Sequence, residues 1–70
     1  MKKKLLNIIG MAKKMTATQF TAFLDEKKVL WTWDECDNIL NYNEGRCVIN
    51  VVESDFSVWF ENGELLDIYK

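Results

Sequence analysis

Apolar positions along the chain change period once, near residue 45. In residues 3–14 they fall at Leu5, Ile8, Ile9 and Ala12, and Met15 continues the series, which is helical spacing with lysines at both ends. Gly10 sits in mid-segment at a cost of about 1 kcal/mol relative to Ala. So short a helix is marginal in water and needs a surface to lie on.

Two stretches carry helix-start chemistry. Thr16 followed by Gln19 reads as a capping box, with Met15 and Phe20 at the hydrophobic-staple positions. This predicts a helix to about residue 28 that buries Phe20, Phe23 and Leu24. The same device recurs at Trp31-Thr32-Trp33-Asp34-Glu35-Cys36. Thr32 caps and Glu35 reciprocates, which predicts a second capped helix over 33–42. Its buried stripe would be Trp33, Cys36, Ile39 and Leu40, with Gly45 or Asn43 as the stop.

Past Arg46 the pattern becomes that of strands. Cys47-Val48-Ile49-Asn50-Val51-Val52 is rich in β-branched residues. Ser54-Asp55 turns the chain into 56–60. Asn62-Gly63, the strongest short hairpin signal, turns it into 64–69. The expected fold is α+β: an N-terminal amphipathic helix and two capped helices packed on a three-stranded antiparallel β-meander. It forms a single domain, 1–70, made of a basic arm (1–14), a helical part (15–45) and the meander (46–70).

A two-residue loop at Asn62-Gly63 sets Phe60 beside Leu65, Trp59 beside Leu66, Val58 beside Asp67, Ser57 beside Ile68 and Phe56 beside Tyr69. A second two-residue loop at Ser54-Asp55 would set Val51 beside Val58 and Asn50 beside Trp59. One sheet face then shows Ile49, Val51, Phe56, Val58, Phe60 and Leu65, which is the expected core. The other shows Val48, Val52, Trp59, Leu66 and Ile68. A solvated sheet face should be mostly polar, and contiguous apolar patches mark contacts. These five residues are therefore the candidate partner-binding surface. Three covers compete for it: the N-terminal helix, a second subunit, or a different protein.

Composition narrows the function. Seventy residues make one domain. A chain of this length buries only about 60% of its unfolded surface, so its three Trp, two Tyr and four Phe are partly needed to fill a core. The formal charge of −2 is unevenly spread. Lys2, Lys3, Lys4, Lys13 and Lys14 form a basic arm without acids, and the remainder carries all eleven acids against four basic groups, a net −7. The arm resembles a signal peptide only at first glance. Its apolar run is about eight residues, is broken by Asn7 and meets Lys13-Lys14 instead of a cleavage site. It falls far short of the roughly 20 residues of a membrane span. Met11 or Met15 is an alternative start that would make the arm dispensable. A cytoplasmic location, in a bacterium or a phage-infected host, is expected.

Catalytic chemistry is missing. With no histidine there is no switchable base, and Cys36 and Cys47 alone complete no common zinc site. Catalysis by Cys would need an activating charged neighbour, and the groups close to Cys36 in sequence are the acids Asp34, Glu35 and Asp37. Asp34, Glu35 and Asp37 read as first-turn complements to a helix dipole, forming an acidic face. No P-loop, dinucleotide or calcium pattern occurs. The chain is expected to be no enzyme and to need no cofactor or metal.

Two helices followed by a hairpin imitate a winged helix-turn-helix in outline. The would-be recognition helix carries three acids and no base, which phosphate repels, so a nucleic-acid-binding regulator would have to use the lysine arm. The leading expectation is a small intracellular protein that binds another protein stoichiometrically, or itself as a homodimer. By general appearance alone, the setting is a phage or mobile element, inhibiting a host defence or nucleic-acid enzyme.

Overall fold

The computed structural model describes residues 2–69, with side-chain detail from residue 7 onward. The element order is α1 (Lys2–Ala12), α2 (Ala17–Glu26), β1 (Trp31–Cys36), β2 (Arg46–Val51), a 3-10 turn (Val52–Ser54), β3 (Phe56–Glu61) and β4 (Glu64–Tyr69). The strands form one four-stranded antiparallel sheet in the order β1-β2-β3-β4. The α+β class stands as expected. The count does not, because two α-helices and four strands replace three helices and three strands.

The capping box at Thr16 forms as read. Its side chain accepts from the Gln19 N–H, and Gln19 Oε1 accepts from the Thr16 N–H. The other end of α2 closes in a Schellman motif. The Val29 N–H donates to the Leu24 carbonyl, and the Lys28 N–H donates to that of Asp25. Lys28 occupies the left-handed position, φ 58°, where glycine is the usual residue.

The identical sequence device at Thr32 makes no helix. Residues 31–36 are edge strand β1, and 37–45 are a loop. Two forces override the cap. Trp31, Thr32 and Trp33 are aromatic and β-branched, and they pair with Val51, Asn50 and Ile49. Downstream, asparagine side chains take the backbone N–H groups that a helix would use. Asn38 Oδ1 accepts from Leu40 and Asn41, and Asn41 Oδ1 accepts from Asn43. The expected buried stripe therefore fails. Cys36 is half-buried, but Trp33 is 46%, Ile39 54% and Leu40 93% exposed.

Both helices lie on one face of the sheet. Ile8 and Ala12 of α1 and Ala17, Phe20 and Leu24 of α2 join Cys47, Ile49, Val51, Phe56, Val58 and Phe60 in a single buried cluster. Phe20 meets Phe60 at 5.6 Å between ring centroids. Trp31 holds the edge of this core: it packs edge-on to Tyr42, and its indole N–H donates to Asp25 at 2.7 Å. The N-terminal helix therefore completes the core and is not the cover of the opposite face.

The Asn62-Gly63 turn has φ of 52° and 85°, as a type I′ hairpin requires. Its tip is docked. The Gly63 carbonyl accepts from the Ala17 N–H at 3.1 Å, and the Asn62 N–H donates to the Gly45 carbonyl at 2.8 Å.

Candidate functional site

The outward face of the sheet is built from three cross-strand rows. The first, across all four strands, is Thr32, Asn50, Ser57 and Tyr69. The second is Val48, Trp59 and Asp67. The third is Arg46, Glu61 and Glu64. Side chains alternate along each strand, so these rows point away from the helices while Cys47, Ile49, Val58 and Phe60 point toward them.

The register behind these rows departs from the expected one at two places. The β2–β3 connection is longer than two residues, because the 3-10 turn is followed by Asp55 in the left-handed conformation, φ 52°. Trp59 therefore faces Val48 and not Asn50, and Val58 faces Ile49 and not Val51. A shift of two leaves every residue on its expected face. The β3–β4 hairpin behaves differently. Phe60 faces Leu65, but a bulge then intervenes, and Trp59 faces Asp67, Val58 faces Ile68 and Ser57 faces Tyr69. One extra residue, Leu66, inverts all that follows.

The expected patch is accordingly redistributed. Ile68 turns to the helix side and packs against the core, so its assignment to the open face is corrected. Leu66, 56% exposed, sits at the bulge and lines the seam between α1 and β4 with Ile9 and Lys13. Val48 and Trp59 lie together on the open face, half-buried by their neighbours. Val52 is exposed in the 3-10 turn. Tyr69, expected beside Phe56, lies beside Ser57 and joins the open face.

Trp59 is the centre of this surface. The Arg46 guanidinium stacks over its ring at 4.7 Å, and the Tyr69 ring lies 5.9 Å away. Its indole Nε1 is buried and, among the described residues, has no hydrogen-bond partner. Beside it an open groove of about 450 Å³ runs between Thr32, Asn50, Val52, Asp55, Ser57 and Tyr69. Ser57 Oγ donates to Asn50 Oδ1 on its floor.

The three acids expected on a helix face are separated. Asp34 is exposed on β1, within the bulge between Trp33 and Cys36. Glu35 pairs with Arg46 at 3.5 Å. Asp37 is a loop clamp: its carboxylate accepts from the Arg46 N–H at 2.8 Å and lies where a Cβ on Gly45 would fall. With helix 33–42 absent, the winged-helix outline lapses too. Lys13 and Lys14 are exposed just past α1, and the side chains of Lys2, Lys3 and Lys4 lie outside the described residues.

Among the described residues no cluster of three or more His, Cys, Asp or Glu could hold a metal ion, and no helix is long and apolar enough to cross a membrane. Comparison with protein families, with curated proteins and with solved structures finds no match to this chain.

Proposed function

We propose that this chain is a small, non-enzymatic binding module that acts stoichiometrically and receives another protein on the open face of its sheet. One observation carries the reading. Both helices lie on the same side, so neither covers the Trp59 face. Trp, Tyr and Arg dominate the energetic centres of protein interfaces, and here Arg46 stacks over Trp59 while the Tyr69 ring lies tilted against it.

The surrounding charge indicates the partner's chemistry. Glu61, Glu64 and Asp67 share the face, Asp55 borders its groove, and Arg46 on the same face is paired with Glu35. An acidic rim around an aromatic centre is complementary to a basic protein surface. The nucleic-acid-binding groove of an enzyme is such a surface, which keeps inhibition of a host defence or nucleic-acid enzyme as the setting of this proposal.

The test is capture of a partner by the tagged full chain from cells of its native host, in parallel with Trp59→Ala and Leu40→Ala. The expected result is a partner retained by Leu40→Ala, lost with Trp59→Ala and released by raised salt. Loss with Leu40→Ala alone would transfer the interface to the exposed loop and overturn the proposal. So would a stable dimer in sedimentation that hides Trp59, or salt-dependent DNA binding that vanishes on deletion of 1–14.

A further inference from the structure

Cys36 and Cys47 are separated by the whole 37–45 loop but are direct partners across the β1–β2 ladder, at the end of β1 beyond its bulge. Their sulfurs are 3.3 Å apart, and both thiols are free. Facing residues of antiparallel strands have Cα atoms about 4.5–5.5 Å apart. A disulfide accepts Cα separations of roughly 4.4–6.8 Å. The backbone therefore already spans the distance a cross-link requires.

The two thiols differ in access. Cys47 belongs to the buried core, while Cys36 is half-buried on the edge strand, with Sγ 3.4 Å from the Asn38 carbonyl. We propose that Cys36 and Cys47 are a reversible dithiol–disulfide pair, in which Cys36 meets a low-molecular-weight disulfide oxidant first and Cys47 resolves the adduct.

The exchange balances with such an oxidant, RSSR. The Cys36 thiolate attacks one sulfur, the S–S bond breaks, and one RSH leaves with the proton that Cys36 gave up. Cys47 then loses its proton and attacks Cys36 Sγ, expelling the second RSH. Two protein thiols are oxidised to one disulfide, and RSSR is reduced to two RSH. Burial above all, then the hydrogen bond and charge of Cys36, push the Cys47 thiol up to about 12, so it is a poor initiator. Capping Cys36 removes both of that residue's contributions, which eases the second step.

The cross-link would staple the edge strand to β2 and close the 37–45 loop. That loop supports α2 and the hairpin tip: Asn43 Oδ1 accepts from the Thr18 N–H, and Gly45 contacts Asn62 through two hydrogen bonds. Because the fold holds the sulfurs together, the disulfide must in turn stabilise the fold.

The experiment uses the full chain equilibrated with oxidised glutathione, quenched by alkylation and weighed intact. The expected product is an unalkylated monomer lighter by two hydrogens. A peptide map should join Cys36 to Cys47, and dithiothreitol should reverse the change. Its thermal midpoint should exceed that of the reduced chain by on the order of 10 °C. Cys36→Ser, altered at the half-buried member of the pair, should show no such shift. A persistent glutathione adduct, a cross-linked dimer, two alkylated thiols or a lowered midpoint would each overturn the pairing.

Discussion

Truncating Trp59 separates a surface aromatic from a core one, and the structure supplies the magnitudes. Trp59→Ala removes the stacked Arg46 guanidinium, about 0.5–1 kcal/mol at an exposed site. It also removes the Tyr69 ring contact, about 0.5–1.5 kcal/mol. Burial of most of a large side chain adds roughly 1–2 kcal/mol. Against these, the buried and unpartnered Nε1 disappears as well, which returns about 1 kcal/mol. The net cost is about 1–3.5 kcal/mol. Neighbouring Phe60 is fully buried against Phe20, and Phe60→Ala should cost about 3–5 kcal/mol. A chain of this length has on the order of 4–10 kcal/mol of stability in all, so Trp59→Ala should stay folded while Phe60→Ala approaches global unfolding. Urea denaturation followed by far-ultraviolet circular dichroism reads both without relying on tryptophan emission. Trp59→Phe keeps a ring and drops the orphaned N–H, and should lie within about 1 kcal/mol of the parent. In the capture experiment Trp59→Ala should weaken partner binding at least ~10-fold. A Trp59→Ala loss as large as that of Phe60→Ala would place this side chain in the core and refute the two-face reasoning.

Three further outcomes are expected. Gly10 lies in α1 with open space where an alanine methyl would stand, so Gly10→Ala should raise stability by about 1 kcal/mol in the same denaturation assay. Lys28 holds a left-handed position that glycine adopts without strain, so Lys28→Gly should gain about 0.5–1 kcal/mol, opposite to the usual loss on introducing glycine. Burial keeps the Cys47 thiol protonated up to about 12, whereas an unfolded thiol ionises near 8.5. Its folded pKa is raised, so its contribution is intact below about pH 8.5 and drains as pH rises toward 12; thermal midpoints across that range should fall less steeply in Cys47→Ala.

Much of the fold is legible locally. Thr16 with Gln19 announces α2, Asn62-Gly63 announces a type I′ hairpin, and the alternation in 47–51 and 56–60 names the core face. The segment after Thr32 shows the limit of such signals. A capping box satisfies two N–H groups at a helix start, but it does not compel the residues that follow. In 31–36 the ladder to β2 outweighs it, and that partner is remote in sequence. The Leu66 bulge is equally invisible. Nothing in Glu64-Leu65-Leu66-Asp67 marks where one residue steps out of the ladder, yet that step sends Ile68 inward and Tyr69 outward.

The candidate surface divides along the same line. Sequence alone determined that Trp59 and Phe60 oppose each other, because adjacent strand residues must point to opposite faces, and that the chain lacks a histidine-based site. Tertiary structure decided what surrounds Trp59: Arg46 above it, Tyr69 beside it, and both helices on the far side of the sheet. It also brought Cys36 to Cys47. Period and capping are properties of neighbouring residues and can be read along the chain. Register, bulges and the side on which a helix docks depend on contacts between distant segments, which only the closed core selects.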